Sequence, residues 1–280
     1  MFYYDINLYN AGKELFDKTL LEDTNNNDLI SHVLPNRKEQ ANIIANDPGI
    51  FAGEIFSIIL EKEYGIKGCC LKDGETFSKG SKIFTLEGSV KVLLSIERSL
   101  LNILTILISI ATTTKEFVEA SQGKFGILDT RKTIPGLRYF EKYAVKVGGG
   151  KNHRFGLYDM IMVKDNHISV FKGDIKAIVR IAKTYSPMHK IEVECENMEQ
   201  VKQAVEAGAD IIMLDNMSPT EIKECAEYIK TQNPNILVEA SGNIDLEKIR
   251  ELAKIDAKID FVSTSKITMN YKIVDLSFEI

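Results

Sequence analysis

Residues 129–167 concentrate side chains that could bind an anion and act on it. The stretch holds eight lysines and arginines and two histidines, although the whole chain carries a net charge of −5. Arginine binds carboxylates and phosphates through two parallel hydrogen bonds, and lysine supplies a compact charge. A substrate with several negative charges is therefore predicted, and the candidate residues for binding it are Arg131, Lys132, His153, Arg154 and Lys164.

Two carboxylates end neighbouring apolar segments further along the chain. Glu194 closes "KIEVE" and Asp215 closes "DIIMLD". Such a pair could hold Mg²⁺, directly or indirectly, since this ion prefers a few carboxylates together with substrate and water oxygens. The same pair could instead position sugar hydroxyls, stabilise developing positive charge, or only neutralise nearby lysines.

A third candidate element is the turn "EASGNID", which begins at Glu239. It leads from an apolar segment through Ser241 and Gly242 into a helix predicted to begin near Asp245. A turn of this kind exposes backbone N–H groups at a helix N-terminus, where anions bind. Ser263 ends the next apolar segment, so hydroxyl groups are expected there as well.

The organisation of the chain explains how these residues could meet. The first hundred residues mix helix and strand patterns, as in a small α+β domain, and a long helix is predicted from about Ser89 to Ala120. Beyond Phe125, apolar runs alternate with amphipathic helices, which is typical of buried parallel strands. Polar residues at many strand ends favour an incomplete β/α barrel over a doubly wound sheet, because a barrel brings strand ends to one mouth.

Composition and charge limit the possible partners and the location. A chain of 280 residues with 44% hydrophobic residues is long enough for sizeable cores, and its acidic balance argues against nucleic-acid or anionic-membrane binding. The most apolar segment, from Val92, is long enough to cross a bilayer, but it contains Glu97 and Arg98. The first sixteen residues lack a secretory pattern and the four cysteines lack metal-ligand spacing, so a cytoplasmic protein with reduced thiols is expected.

Some of these residues also have simpler interpretations. Lys142, Lys146 and Lys151 are expected to be solvated on a helix surface. Lys164 could alternatively form a Schiff base with a carbonyl substrate.

The motifs, in their order along the chain, resemble those of the quinolinate phosphoribosyltransferase family. The resemblance runs from about Gly49 to the C-terminus and rests on "ERSLLNILTILISIATTT", "DTRKTIPGLR", "EKYAVKVGGGKNHRFGL", "VKDNH", "IEVECEN", "AGADIIMLDN" and "EASGNI". It implies an α/β fold with an N-terminal α/β sandwich domain over residues 1–110 and an incomplete, roughly seven-stranded β/α barrel over residues 111–270. A C-terminal strand could return to the first domain.

The resemblance also implies an activity. Quinolinate and 5-phosphoribosyl 1-diphosphate would give nicotinate mononucleotide, CO₂ and diphosphate, with Mg²⁺ as the cofactor, in NAD biosynthesis. The enzyme would be a homodimer with active sites at the subunit interface, or a higher oligomer. The implied catalytic residues are Lys132, Lys164, Glu194 and Asp215, and the implied substrate-binding residues also include Arg98 from the neighbouring subunit, Arg131, His153, Arg154, Ser241, Gly242, Ser263 and Ser265.

The chain departs from the family pattern around the expected phosphate site. Asn243 stands where glycine is common, and "STSKITMN" replaces a stretch that usually has glycine near Ser265 and histidine near Met269. These side chains are expected to narrow the site. Close rivals are a paralogue found in molybdate-transport gene clusters and, less favoured, a Schiff-base lyase. The intact Arg131, Lys132 and Lys164 favour the biosynthetic enzyme over the paralogue, and a non-enzymatic anion- or RNA-binding module is a further alternative.

Overall fold

The computed structural model describes residues 6–255 and 257–280. The first sixteen residues are the basis for predicting no secretory signal, and residues 1–5 of that segment lie outside the described residues. The chain divides into two compact units. The first comprises residues 1–113, 139–149 and 271–280, and the second comprises residues 114–138 and 150–270.

An antiparallel sheet forms the centre of the first unit. Its strand order is β12-β1-β5-β3, so the last strand of the chain pairs with the first. Its strands are β1 (Lys38–Ala45), β3 (Lys67–Cys70), β5 (Lys82–Ser89) and β12 (Leu276–Glu279), with a small pair β2 (Gly49–Ile50) and β4 (Thr76–Phe77) beside them. Alternate residues of β1, namely Ala41, Ile43 and Ala45, are fully buried, as expected for a sheet with one face covered.

The helices that begin in the first unit include a long apolar one. They are α1 (Ile6–Thr24), a 3₁₀ turn (Ile30–His32), α2 (Ile55–Tyr64) and α3 (Val90–Ala120). α3 is long and apolar enough to cross a membrane by composition, but 61% of its apolar window is buried within the protein. That burial is typical of a core helix, and the predicted long helix is confirmed.

Six parallel strands make the sheet of the second unit, within the described residues. The strands are β6 (Gly126–Leu128), β7 (Ile161–Val163), β8 (Ile191–Cys195), β9 (Ile211–Asp215), β10 (Leu237–Ser241) and β11 (Phe261–Ser263), in the order β6-β11-β10-β9-β8-β7. The helices are α4 (Arg138–Val147), most of which groups with the first unit, α5 (Asp165–Val170), α6 (Ile175–Tyr185), α7 (Met198–Ala207), α8 (Pro219–Gln232), α9 (Leu246–Lys254) and α10 (Lys266–Met269). A single bridge from Lys151 to Leu128 extends the β6 edge. The predicted α/β fold with an incomplete β/α barrel is confirmed.

Local sequence explains where the crossover helices begin. The side chain of Asn197 accepts a hydrogen bond from the backbone N–H of Gln200 at the start of α7. Ser218 and Glu221 form a reciprocal capping box at α8, and Asp245 caps α9 at the predicted position. Such caps satisfy N–H groups that the helix itself leaves without partners. These caps fix the start of α7, α8 and α9 a few residues after the preceding strand, so the loops between strand and helix are short.

Side chains alternate along each parallel strand, and this alternation positions the site. Val193, Leu214 and Ala240 are fully buried. Their neighbours Glu194, Asp215 and Ser241 instead line a cavity. Successive strand residues point to opposite faces, so the first set packs outward and the second set faces the barrel interior.

The predicted helix-surface position is right for one of the three lysines. Lys146 is exposed on α4, Lys151 is exposed but lies beyond α4 in a bridge to Leu128, and only 3% of Lys142 is accessible to solvent. α4 is covered around more than one face, since Phe140, Glu141 and Ala144 are buried as well. A helix period alone could not identify which lysine would be enclosed, because the covering surface comes from elsewhere in the chain.

Removing core volume at the centre of the parallel sheet should destabilise the protein. Ile212 in β9 is fully buried. We expect Ile212→Ala to lower the free energy of unfolding by about 2–5 kcal/mol and Ile212→Val by about 0.5–1.5 kcal/mol, since the loss grows with the cavity left behind. Urea denaturation measures both values. Ile181→Ala, on a side chain 52% exposed, serves as the control; equal losses for both alanine variants would contradict the core assignment.

Candidate active site

The cavity lies at the carboxyl ends of the parallel strands in the second unit. Its volume is about 450 Å³, which is within the range of small-molecule sites. Its predicted lining residues are Arg131, Lys132, His153, Arg154, Lys164, Glu194, Asp215, Ser241, Gly242, Ser263 and Ser265. Residues from the ends of all six strands or from the loops beyond them thus converge, as they do in β/α barrels.

The loop that follows β6 is clamped by a residue outside the predicted set. Arg138 donates hydrogen bonds to the carbonyl oxygen of Arg131 at 3.1 Å and to Oγ1 of Thr133 at 3.1 Å. Its remaining guanidinium nitrogen donates to the carbonyl oxygen of Phe155 at 3.2 Å. Because one planar group joins the two loops, the cations that each loop carries keep a common orientation.

A buried carboxylate anchors the segment that carries His153 and Arg154. Asp129 is fully buried at the end of β6. One of its oxygens accepts the backbone N–H of His153 at 2.8 Å, and the other accepts the side-chain amide of Asn152 at 2.6 Å. Arg154 then donates to the carbonyl oxygen of Met160 at 3.1 Å. Both backbone and side-chain contacts therefore hold this segment at the cavity wall.

Positive charge is crowded at this wall. Burial lowers the pKa of the Arg154 guanidinium, and the neighbouring charge of Arg131 lowers it further. Arginine still stays protonated in proteins. The two guanidinium groups repel each other at a partly buried position. They therefore attract a ligand with more than one anionic group strongly.

Lys164 and Glu194 form an ion pair across neighbouring strands. Nζ of Lys164 lies 2.9 Å from Oε2 of Glu194, and 40% of the lysine side chain is exposed. Lys164 is also the N-cap residue of α5, and its backbone N–H donates to Nδ1 of His167 at 2.9 Å. His167, the histidine of the "VKDNH" motif, thus caps a helix. The other carboxylate, Asp215, accepts a hydrogen bond from the amide of Asn216 at 2.6 Å.

The loops after β10 and β11 form a side of the cavity built from hydroxyl and backbone groups. Gly242 has a φ of +92°, and Asn243 has a φ of +51°. Asparagine tolerates this left-handed region better than most residues, which explains how it stands where glycine is common. The Asn243 amide donates to Oδ1 of Asn216 at 3.3 Å. Its side chain is therefore held against the neighbouring loop.

Arg98 is the one predicted site residue that is not among the described residues lining the cavity. It lies in α3 within the first unit, and 61% of its side chain is exposed. Sequence reasoning also missed several lining residues, which are Thr130, Met162, Met213, Asn216, Glu239, Ile244, Thr264 and Lys266. Alternation along the strands was the available signal for Met162 and Met213, since each lies two residues before a predicted site residue.

Comparisons with known proteins agree with the fold and the cavity. The family model described as "Quinolinate phosphoribosyl transferase, C-terminal domain" matches residues 110–279, and the corresponding N-terminal model matches residues 28–107. A Bacillus subtilis protein called "Probable nicotinate-nucleotide pyrophosphorylase [carboxylating]" is 40% identical, over 96% of this chain and 93% of that relative. A Mycobacterium leprae protein called nicotinate-nucleotide pyrophosphorylase [carboxylating] is 32% identical over 85% of each chain.

Solved structures give the same result. NadC from Streptococcus pyogenes superposes with a TM-score of 0.90 at 34% identity, covering 100% of this chain and 98% of that one. The nicotinate-nucleotide pyrophosphorylase from Francisella tularensis gives 0.89 at 34% identity, covering 97% and 96%. Family models over both parts of the chain, together with relatives of this similarity, lead to one conclusion: the chain belongs to the quinolinate phosphoribosyl transferase family.

Proposed function

We propose that the protein is a quinolinate phosphoribosyltransferase, a pentosyltransferase that makes nicotinate mononucleotide, CO₂ and diphosphate from quinolinate and 5-phosphoribosyl 1-diphosphate. The observation that carries this proposal is the cation-rich cavity at the strand ends of a member of this family. Both substrates are small polyanions, which suits a concave site with arginines, lysines and hydroxyl groups on its walls.

The walls of the cavity suggest which residues serve each substrate. The guanidinium groups of Arg131 and Arg154, with Lys132, suit the two carboxylates of quinolinate, and His153 supports this wall through the hydrogen bond that its Nδ1 accepts from the Arg154 backbone. Lys164, Glu194 and Asp215 suit the ribose hydroxyls and the diphosphate. The remaining residues, assigned to the 5-phosphate, are Ser241, Gly242, Ser263 and Ser265.

The reaction needs charge to be placed accurately more than it needs a classical base. The bond between ribose C1 and diphosphate breaks with its electron pair leaving on diphosphate, and the quinolinate nitrogen forms the new bond to C1. Glu194 and Asp215 would stabilise the positive charge that develops on the ribose, while Lys132 and Lys164 would stabilise the leaving group. Preorganised charges of this kind supply large rate effects in sites that exclude water.

Decarboxylation follows from the new positive charge on the ring nitrogen. The bond to the adjacent carboxyl group breaks, CO₂ leaves, and the electron pair stays on the ring carbon until it takes a proton. The quaternised nitrogen stabilises that electron pair. Arg131 and Arg154 would then hold the substrate through the carboxylate that remains.

The carboxylates at the cavity fit the predicted magnesium ion. Glu194 and Asp215 end adjacent strands and line the same cavity, and two carboxylates with substrate oxygens are a usual donor set for Mg²⁺. When bound, the ion would neutralise charge on the diphosphate. Lys164 already neutralises part of the Glu194 charge in the described structure, at 2.9 Å.

The predicted setting is a cytoplasmic homodimer, or a larger assembly, with no membrane or nucleic-acid partner. Arg98 supports a shared site, since its exposed side chain does not line the described cavity and is available to a second copy. The net negative charge of the chain supports the proposal of no nucleic-acid partner, and the burial of α3 supports the proposal of no membrane partner. A Schiff-base lyase is disfavoured because the chain belongs to a phosphoribosyltransferase family and Nζ of Lys164 is already paired with Oε2 of Glu194 at 2.9 Å.

The activity itself is tested by incubating the purified protein with quinolinate, 5-phosphoribosyl 1-diphosphate and Mg²⁺. We expect loss of quinolinate and stoichiometric release of CO₂ and nicotinate mononucleotide. Nicotinate is the control substrate, since it lacks the carboxyl group that leaves. Turnover of nicotinate without turnover of quinolinate would overturn the substrate assignment.

Mixing two inactive variants tests whether a site is shared between subunits. Lys164→Ala should lower kcat by about 10²–10³, as removal of one charge-stabilising donor commonly does. Mixed with Arg98→Ala under conditions of subunit exchange, it should recover about one quarter of wild-type activity, because half of the dimers are mixed and each contains one intact site. No recovery despite measured exchange would contradict the action of Arg98 in trans.

Gly242 tests the assignment of the phosphate side. A Cβ at this position would lie 2.3 Å from Oδ1 of Asn216 and 2.5 Å from its backbone nitrogen. We expect Gly242→Ala to displace this loop and to raise the KM for 5-phosphoribosyl 1-diphosphate about tenfold, equivalent to roughly 1.4 kcal/mol of binding.

The matched control for Gly242→Ala is Gly173→Ala. Gly173 has a similar φ of +89°, but nothing lies within 4 Å of an added Cβ. This control variant has the same backbone strain, about 1–3 kcal/mol, without the collision. Steady-state kinetics and urea denaturation of both variants separate strain from displacement. Equal KM values for the two variants would refute the phosphate assignment.

A further inference from the structure

Two buried glutamates face the interior of the barrel near the cavity cations. Glu192 is fully buried, and Glu239 is 2% exposed and lies at the cavity wall. They come from β8 and β10, which are separated in the sheet order by β9. Alternate strands contribute the side chains of one interior layer in β/α barrels. Two acidic side chains thus lie beside a basic cavity.

His153 connects these two glutamates to the cavity. Its Nε2 lies 3.0 Å from Oε2 of Glu192 and 3.6 Å from Oε2 of Glu239. Its Nδ1 accepts the backbone N–H of Arg154 at 2.8 Å. A ring nitrogen that accepts a hydrogen bond carries no proton, so this network assigns the ring proton to Nε2, facing the two carboxylates.

The two glutamates have no evident structural reason to be where they are. Within the described residues, Oε1 of Glu192 and Oε1 of Glu239 accept no hydrogen bond, and Oε2 of Glu192 faces only Nε2 of His153 among the contacts given above. Burial, and then the charge of Glu192, raises the pKa of Glu239. Buried carboxylates with so few partners destabilise a fold compared with apolar side chains of similar size. Their presence is better explained by what they do to His153.

We propose that Glu192 and Glu239 are positioning residues that orient His153 and, through its contact with Arg154, set the anion-binding wall of the cavity. The inference deepens the proposed function and rests on it for the identity of the anion, an aromatic dicarboxylate. The chain of contacts runs from the two glutamates to Nε2, from Nδ1 to the Arg154 backbone, and from the Arg154 guanidinium into the cavity. Neither glutamate needs to touch the reacting atoms.

Replacing a glutamate by methionine separates this role from a structural one. Methionine has a similar volume and no charge, and Glu239 remains 3.6 Å from Nε2 of His153, so Glu192→Met should change the free energy of unfolding little. The same variant should raise the KM for quinolinate at least about tenfold, the loss expected when a charge-assisted contact is removed, with the KM for 5-phosphoribosyl 1-diphosphate within about twofold. Glu192→Gln keeps an acceptor for Nε2–H and should fall between wild type and Glu192→Met.

The control is Glu196→Gln, on an exposed glutamate just beyond β8. We expect it to change neither KM. An unchanged quinolinate KM in Glu192→Met would overturn the proposal. A fall in stability accompanied by an equal rise of both KM values would also overturn it, because that result describes a structural residue only.

A second measurement does not depend on activity and is read in the wild-type protein. The chain has four histidines, so ¹⁵N-histidine labelling gives a simple spectrum in which His153→Asn assigns the signal. In the wild-type protein we expect an unprotonated Nδ1 and a protonated Nε2, and a proton on Nδ1 would overturn the proposal. This result stands even if quinolinate is not the substrate. Stoichiometric metal in the purified protein that disappears in Glu192→Met would overturn it too, by identifying the cluster as a metal site.

Discussion

The structure of the second unit depends on keeping several cations close together at the mouth of a barrel. Arg131, Lys132, Arg154 and Lys164 all line one cavity of about 450 Å³. Their mutual repulsion has to be offset within the protein before any substrate binds, since water screens charges poorly in a partly enclosed site. Carboxylates on the strands supply the opposite charge, with Glu194 at 2.9 Å from Lys164 as the most direct example.

The parallel strands make this arrangement possible. Each strand places alternate residues in the interior, so a carboxylate and a cation can occupy successive levels of the same barrel. Asp129 accepts a hydrogen bond from the backbone of His153. Arg138 joins the loop that carries Arg131 to the segment that carries Phe155. The cations consequently sit on rigid supports, which is how a site stabilises charge that develops only during a reaction.

Part of this arrangement destabilises the fold. Glu192 and Glu239 are buried, and Oε1 of each accepts no hydrogen bond among the described residues. Gly242 and Asn243 both adopt the left-handed backbone region, and Asn243 uses its amide to contact Asn216 in compensation. Some strained and poorly satisfied groups therefore lie at the cavity, and such groups are common where a protein gives up stability for function.

Sequence alone determined the order of strands and helices in the barrel, the long α3, the cap at Asp245 and the set of polar residues at strand ends. These features depend on local periodicity and on residue type, which a single chain displays directly. Only the tertiary structure decided that Lys142 is enclosed, that Arg138 joins two loops and that Glu192 lies beside His153. Each of those facts depends on groups distant in the chain, such as Glu192 and His153, 39 positions apart. Burial and partnership are properties of the packed surfaces, and no local pattern specifies them.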